Sequence, residues 1–272
     1  MTSRTTRSAV ILARGLGTRM RKADGSAELD SRQAAAADQG MKGMIPIGRP
    51  FLDYLLSALA DAGYARVCLV IGPEHQAAVT YYTTGCPPSR IAIEFAIQQK
   101  ALGTADAVLA VEKFAGTEPF VVLNSDNYYP VEALAQLGMT RAPAIAAFSR
   151  RALLAEGNVL PERVQRFGAL TIDDDGYLVS IVPRAGDASA HGDEVYASMN
   201  CWLFDHAIFE ACRRVDLSPR NELELPRAVQ LAIDTMAMRF KVLRFDLPVL
   251  DMSTRGDISG VQQRLKGINV RP

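Results

Sequence analysis

A short glycine-containing segment near the N-terminus is the first candidate for chemistry. The apolar run 9–13 leads into residues 14–19, which read Arg-Gly-Leu-Gly-Thr-Arg. Glycines let backbone N–H groups approach an anion closely, and arginines add fixed positive charge. A loop of this kind after a buried strand is where α/β folds bind phosphates. The segment therefore predicts a polyphosphate-binding loop, although paired glycines also occur in such turns for structural reasons alone.

The two common glycine-rich templates do not fit this segment. The dinucleotide fingerprint needs a third glycine where Met20 stands, and the P-loop needs a Gly-Lys pair that is absent. Two other polar segments, 98–103 and 124–127, also follow apolar runs. The carboxyl ends of parallel strands meet at one edge of a sheet, so we expect all three polar segments to lie together there.

Hydrophobic periodicity predicts the elements that position these segments. Apolar runs predict strands at 8–13, 67–71, 91–97, 120–123 and 144–148, and later at 166–172, 177–182, 195–204, 240–245 and 249–250. Helical spacing, glycine and proline predict helices at 50–62, 74–82, 104–114, 131–137, 205–214, 223–235 and 256–265. The alternation predicts an α/β fold with a doubly wound, mostly parallel, Rossmann-like sheet and a small β-rich subregion in the second half.

Segment 21–40 differs from the rest of the chain. It is small, polar and weakly periodic, with four consecutive alanines. We interpret it as a long mobile loop with one helical turn near 32–38. Long loops inside compact domains are usually functional or disordered. We therefore hypothesise that residues 23–38 form a lid over a bound nucleotide.

Composition excludes several classes of function. The chain has 272 residues, 49% hydrophobic and 22% charged, with 30 basic and 30 acidic side chains. This balance argues against general nucleic-acid or membrane-surface binding. The four cysteines form no C-x-x-C pair, so a thiolate zinc site is not expected. No apolar run approaches the 18 residues of a membrane span, and we expect a cytoplasmic protein.

Several motifs together resemble a known family. Ala13 and the segment 14–19 are followed by Lys-x-x-x-Pro at 42–46 and by a Pro-x-x-x-Tyr segment at 50–54. Gln98 stands five residues before a Gly-Thr-Ala run, Ser-Asp-Asn lies at 125–127, and Leu-Asp lies at 250–251. These motifs are similar to those of the sugar-1-phosphate nucleotidyltransferases (NDP-sugar pyrophosphorylases). The resemblance covers nearly the whole chain.

The resemblance implies a reaction and a site on a GT-A-like fold. A sugar 1-phosphate would attack the α-phosphorus of an NTP in line, and pyrophosphate would leave. The attacking phosphate oxygen is already ionised, so the reaction would need no general base. Its catalytic residues would be Arg19 and Lys42, and Asp126 and Asp251 would hold Mg²⁺. The nucleotide would contact Leu12, Ala13, Gly15, Gly17, Thr18, Gln98, Gly103 and Thr104. The sugar phosphate would contact Asn127, Gly168, Arg184 and Asn200.

The resemblance also implies one nucleotidyltransferase domain over 1–272, with a nucleotide-binding half at about 1–150 and a sugar-binding half at about 151–272. Gln98 favours UTP or dTTP, because a carboxamide pairs with the imide edge of uracil or thymine, and guanine stays open as a further base. Two positions depart from the family pattern. Arg14 replaces a small residue, and Pro183 stands where many members have a sugar-binding glutamate.

Three other functions stay open from the sequence. A cytidylyltransferase of the CTP:phosphocholine type would use an aromatic cage, for which Tyr128, Tyr129 and Trp202 are candidates. A glycosyltransferase would use Asp126 as a metal ligand. A non-catalytic nucleotide-sensing subunit would need no chemistry. The base, the sugar and the formation of a homo-oligomer are not determined by the sequence.

Overall fold

The computed structural model describes residues 6–25, 27–164, 167–182 and 195–272. The strands are β1 (Ser8–Leu12), β2 (Arg66–Ile71), β3 (Ala92–Ile97), β4 (Phe120–Asn124), β5 (Asn127–Tyr128), β6 (Ala144–Ser149), β7 (Ala169–Ile172), β8 (Leu178–Val182), β9 (Tyr196–Phe204), β10 (Lys241–Phe245) and β11 (Leu250–Asp251).

The helices alternate with these strands. They are α1 (Thr18–Arg21), α2 (Ser31–Gln39), α3 (Phe51–Asp61), α4 (Gln76–Thr80), α5 (Thr104–Leu109), α6 (Glu112–Ala115), α7 (Val131–Met139), α8 (Arg150–Ala155), α9 (Pro161–Val164), α10 (Ile208–Arg214), α11 (Leu225–Met236) and α12 (Asp257–Arg264). A 3₁₀ turn covers Lys42–Met44, and a wider π turn covers Tyr81–Gly85.

The main sheet confirms the predicted mostly parallel α/β architecture. Its strands follow the order β10-β6-β9-β4-β1-β2-β3, and β7 and β8 extend it from β9. The β3-β2-β1-β4 and β10-β6 pairs are parallel, whereas β9 runs antiparallel to both β4 and β6. Both sheet faces are covered by apolar clusters, which explains why the central strands are continuous apolar runs.

The structure of segment 21–40 differs from the interpretation made from the sequence. Residues 31–39 form a nine-residue helix, not a single turn in a mobile loop. Asp30 accepts hydrogen bonds from the backbone N–H groups of Arg32 and Gln33, and the Gln33 side chain completes a capping box. The buried Ala37 packs into an apolar cluster with residues of α12. An alanine-rich helix buries so narrow a face that its sequence shows little periodicity.

Other differences are local. The predicted helix 104–114 is divided into α5 and α6, and the predicted helix 74–82 is shorter and continues as the π turn. The hairpin predicted for 166–182 is present as β7 and β8, joined through an Asp-rich turn at 173–176. Within the described ranges, no helix combines the length and apolar character needed to cross a bilayer.

Candidate functional site

A cleft of about 350 Å³ opens where β1, β3 and β4 end. Its lining residues come from the three polar segments predicted to meet there, joined by residues of the 40–42 segment and by Glu222. They are Leu12, Ala13, Arg14, Gly15, Leu16, Thr18, Gly40, Lys42, Gln98, Ala101, Gly103, Thr104, Ala107, Asn124, Ser125, Asp126 and Glu222. The volume lies in the range of small-molecule sites.

The glycine-rich loop is held against the segment that carries Lys42. Gly17 has a φ of +60°, and a Cβ at this position would lie 2.2 Å from the carbonyl oxygen of Gly40. A side chain at Gly17 would therefore separate the two segments. Gly17 itself is buried and does not line the cleft. Its contribution is to bring Thr18 and Lys42 to one site.

The amide of Gln98 has a defined orientation. Its Nε2 lies 3.0 Å from the Gly103 carbonyl oxygen and 2.7 Å from Asp106 Oδ2. Both neighbours are acceptors, so the NH₂ group must face them and Oε1 must be on the other side. Among the described residues, none donates a hydrogen bond to Gln98 Oε1. The cleft therefore contains a free carbonyl acceptor at this position.

The wall beside Gln98 comes from a distant part of the chain. Gly103, at a φ of +126°, leaves no room for a Cβ, which would lie 2.4 Å from the Leu223 carbonyl oxygen. The Leu223 N–H donates to Leu102, and the Leu223 carbonyl accepts from Ala105. The Thr104 hydroxyl accepts from the Leu225 N–H at 2.8 Å, so it caps the first turn of α11.

Lys42 and Asp126 form a direct ion pair within the cleft. Lys42 Nζ lies 2.7 Å from Asp126 Oδ2, and the two side chains are 19% and 22% exposed. Both remain accessible to a ligand. The pair supplies one cation and one carboxylate at the same point of the cleft.

Asp251 lies beside this pair, in a more extensive network. Its Oδ2 accepts from Arg163 Nη2 at 2.6 Å, and its Oδ1 accepts from the Ser253 hydroxyl at 2.7 Å. Arg163 also donates to Asp257 Oδ1 at 2.5 Å. The backbone of Asp251 is bound on both sides by the Asn158 amide. Asp251 is thus a buried carboxylate held from several directions.

The pKa of Asp251 is raised from 3.8 to about 6. Burial is the largest cause, and the negative charge of Asp126 is the next. Arg163 and Ser253 oppose this shift. The charge of Asp126 raises the pKa of Asp251 because the two carboxylates lie near each other. The Met252 N–H donates to the Asp126 carbonyl oxygen at 2.8 Å, which helps to hold the two segments together.

These two carboxylates are the donors that a divalent cation could use. Among the described residues, no three His, Cys, Asp or Glu side chains form a metal-binding group. Mg²⁺ in phosphate-transfer sites usually takes one or two carboxylates and completes its shell with substrate phosphates and waters. Asp126 and Asp251 therefore fit Mg²⁺ bound together with a nucleotide, and they do not fit a cation held by protein alone.

Arg19 and Arg14 differ from what the sequence predicts. Arg19 is exposed, it does not line the cleft, and it forms no ion pair with a described residue. Arg14 lines the cleft, with its side chain only 10% exposed. From the sequence, Arg14 is a departure from the family pattern beside the nucleotide, with base or phosphate contacts as its open alternatives.

The predicted sugar-phosphate residues that the structure describes lie outside the lining of the cleft. Asn127 is paired with Asp251 in the small β5–β11 sheet. Asn200 has a φ of +53° within β9, and Gly168 accepts a hydrogen bond from the Ser198 N–H of the same strand. None of the three lines the cleft. Arg184, like Arg166 and Pro183, lies outside the described residues.

Two of the three aromatic candidates, Tyr129 and Trp202, are structural. Tyr129 is fully buried, and its hydroxyl lies 2.7 Å from the Met199 carbonyl oxygen and 3.3 Å from both the Asn124 nitrogen and Asn127 Oδ1. Trp202 is fully buried and stacks on Phe204. Neither ring presents a face to the cleft. The aromatic cage that a phosphocholine cytidylyltransferase would need is therefore not formed by Tyr129 and Trp202.

Sequence reasoning missed the residues that orient the predicted ones. Asp106 fixes Gln98, and Arg163 with Asn158 fixes Asp251. Asp106 follows Gln98 by eight residues and could have been found from its position in the first turn of α5. Arg163 and Asn158 have no motif, because their contacts join segments about 90 residues apart.

Comparisons with known proteins agree with this geometry. A family model described as nucleotidyl transferase matches residues 32–246. UTP–glucose-1-phosphate uridylyltransferase AglF of Haloferax volcanii is 26% identical over 95% of this chain and 96% of its own. Glucose-1-phosphate thymidylyltransferase of Streptomyces antibioticus is 29% identical over 84% of this chain and 58% of its own.

Solved structures share the fold. A UDP-glucose pyrophosphorylase crystallised with UDP-glucose superposes with a TM-score of 0.72 at 17% identity, over 95% of this chain and 97% of that one. HddC from Yersinia pseudotuberculosis superposes with a TM-score of 0.66 at 22% identity, over 96% and 100%. The residues matched by the family model begin after the glycine-rich loop and end before Asp251, so the geometry alone connects those two features to the cleft.

Proposed function

Because the chain belongs to the nucleotidyl transferase family, we propose that it joins an NTP to a sugar 1-phosphate and releases pyrophosphate. The observation that carries this proposal is the Lys42–Asp126 pair, which lies in the same cleft as the glycine-rich loop and Gln98. The names of the similar proteins favour glucose 1-phosphate as the first acceptor to test.

The reaction brings two anions together, and the cleft contains groups that could reduce their repulsion. A phosphate oxygen of the sugar 1-phosphate is already ionised, so no general base is needed. Lys42 would bind the α-phosphate and the incoming sugar phosphate, and would reduce their repulsion. Backbone N–H groups of the glycine-rich loop would bind the remaining phosphates. Arg19, one residue beyond Thr18, would have to turn towards the cleft to contact the leaving pyrophosphate.

Magnesium belongs to this proposal. Asp126 and Asp251 would hold Mg²⁺ together with the nucleotide phosphates, and the bound ion would neutralise the charge that develops on the leaving pyrophosphate. Lys42 is paired with Asp126. This pairing keeps the Lys42 ammonium at the point where the phosphates would arrive.

Gln98 favours UTP or dTTP over CTP and ATP. Its free Oε1 is an acceptor and would pair with the ring N–H of uracil or thymine. Cytosine and adenine present a bare ring nitrogen at the equivalent position, and two acceptors repel each other. Sites built to accept one particular N–H discriminate strongly against ligands that lack it. The same argument disfavours the cytidylyltransferase alternative.

A pyrophosphate-release assay tests the proposal. Purified protein with Mg²⁺ is given each of the five NTPs (UTP, dTTP, GTP, CTP and ATP) with glucose 1-phosphate, other sugar 1-phosphates or phosphocholine. We expect release with UTP or dTTP and a sugar 1-phosphate. Release only with CTP and phosphocholine would support the cytidylyltransferase instead. Nucleotide binding without release from any pair would support a nucleotide sensor.

We also expect the reaction to take place in a reducing cytoplasm. All four cysteines are free, and three of them are buried. Oxidising compartments favour disulfides in cysteine-containing proteins. Thiol accessibility in freshly lysed cells, with and without denaturant, tests this expectation.

A further inference from the structure

Arg14 has buried hydrogen-bond donors that no described residue satisfies. Its Nε and Nη1 are both buried and have no partner. Only Nη2 is engaged, at 3.4 Å from the Gln99 carbonyl oxygen and 3.5 Å from Glu74 Oε2. Buried N–H groups of a charged side chain are rarely left unpaired, because the group then loses its hydration without gaining a hydrogen bond in return. Two unpaired groups on one guanidinium indicate a missing acceptor.

The surroundings of Arg14 locate that acceptor. Arg14 lines the cleft and contacts the backbone of Gln99, the residue that follows Gln98. Gln98 contributes the free acceptor Oε1 to the same cleft, as described above. A donor and an acceptor in the same cleft match the imide edge of uracil or thymine, in which the 4-carbonyl stands next to the ring N–H. Cytosine presents an amino group instead of that carbonyl, and its N–H groups would oppose those of Arg14.

We propose that Arg14 is a specificity-determining residue that donates Nε–H or Nη1–H to the ring carbonyl of the nucleotide base, next to the N–H accepted by Gln98. This inference rests on the proposed function, because it concerns the NTP of that reaction. Glu74 is half-exposed and lies on the Nη2 side, so it orients the guanidinium and leaves the other two nitrogens available. The positive charge strengthens the hydrogen bond to a carbonyl oxygen.

The first test compares UTP with CTP. Arg14→Met should lower kcat/KM for UTP by about 10- to 100-fold and leave the low value for CTP nearly unchanged, so the UTP:CTP ratio falls. Glu74→Gln is the matched control, because it removes the negative charge beside Nη2 but keeps an acceptor oxygen there, and its ratio should stay within about threefold of the wild-type ratio. An equal loss for both nucleotides in Arg14→Met would overturn the proposal, since it would indicate a phosphate contact or a structural role.

A second test uses the unaltered protein and does not depend on the folding of a variant. In 4-thio-UTP a sulfur atom, a weaker acceptor, replaces the ring carbonyl oxygen. Wild-type protein should use it about 10-fold less well than UTP, and Arg14→Met should not distinguish the two. Equal use of both by the wild type would contradict the proposal.

A binding measurement separates this inference from the proposed function. Calorimetric titration with UDP and CDP needs no turnover. Tighter binding of UDP than of CDP, lost in Arg14→Met, would support the role of Arg14 even if no sugar 1-phosphate released pyrophosphate. Equal affinities of the wild type for UDP and CDP would overturn the role of Arg14, whatever the assay of turnover shows.

Discussion

Two acidic side chains lie at the same edge of the sheet, but they differ in how each is paired with a basic side chain. Asp126 has Lys42 as its one side-chain partner among the described residues, and both side chains are about one-fifth exposed. Asp251 is 6% exposed and is bound by Arg163, which is itself 14% exposed and also holds Asp257. Lys42 can exchange its carboxylate partner for a ligand, whereas Arg163 belongs to the scaffold that holds Asp251 in place. We therefore expect substitution of Lys42 to affect activity and substitution of Arg163 to affect stability.

The largest effect should come from Arg163→Met. This change leaves Asp251 and Asp257 buried without their shared cation, and breaking a buried pair in this way typically destabilises by about 3–5 kcal/mol. Urea unfolding of wild type and variant measures the difference. Arg66→Met, which removes a half-exposed pair with Glu94, is the control and should change stability by about 1 kcal/mol or less. Equal effects of the two variants would mean that the buried ion pairs of Arg163 contribute no more to stability than the half-exposed Arg66–Glu94 pair.

Lys42→Met should produce the opposite pattern. Loss of one cation that stabilises developing charge typically lowers turnover by about 10²–10³-fold. The unfolding free energy should change by about 1 kcal/mol or less, since the pair is partly solvated. Lys113→Met, at an exposed position of α6, is the matched control for turnover. Normal turnover together with a large loss of stability in Lys42→Met would assign this pair to the scaffold as well.

Ser253→Ala tests how much the hydrogen bond from Ser253 to Asp251 contributes to stability, compared with the ion pair from Arg163. The Ser253 hydroxyl donates to Asp251 Oδ1 at 2.7 Å, and a hydrogen bond to a charged group contributes about 1.5–3 kcal/mol. We expect a loss of stability in that range, smaller than for Arg163→Met. Thermal and urea unfolding measure it. A loss as large as that of Arg163→Met would mean that Arg163 is not the main partner.

The smallest effect is a dependence of stability on pH. The pKa of Asp251 in the folded protein, about 6, lies above its ordinary value of 3.8, so the folded state binds more protons between these values. The stabilisation is fully present below about pH 4 and is lost as pH rises through 6. Without metal, wild type should lose about 1 kcal/mol relative to Asp251→Asn between pH 5 and 7.

A second carboxyl variant provides the control for that measurement. Asp126→Asn removes the negative charge that is the second cause of the raised pKa of Asp251. In this background the difference between pH 5 and 7 should become smaller. A difference that stays the same would show that burial alone raises the pKa and that the two carboxylates do not interact.

The sequence predicted the cleft well because local patterns determine it. Polar segments that follow apolar runs must meet at one sheet edge, and Arg14, Gln98 and Asp126 lie there as a result. Orientation could not be predicted in the same way. Thr104 caps α11 and not α5, because α11, which comes from the second half of the chain, begins beside the Thr104 hydroxyl. The position of β9 between β4 and β6 depends equally on pairing between distant segments.

The place of β9 in the sheet has a consequence for biosynthesis. β4 and β6 are complete long before Tyr196–Phe204 leaves the ribosome, and only that segment joins them. At about 5–20 residues per second, the nascent chain carries unpaired edges on β4 and β6 for several seconds. Such edges are templates for pairing with other chains. Early folding of this protein in the cell should therefore depend on chaperones that cover β4 and β6 until translation reaches residue 204.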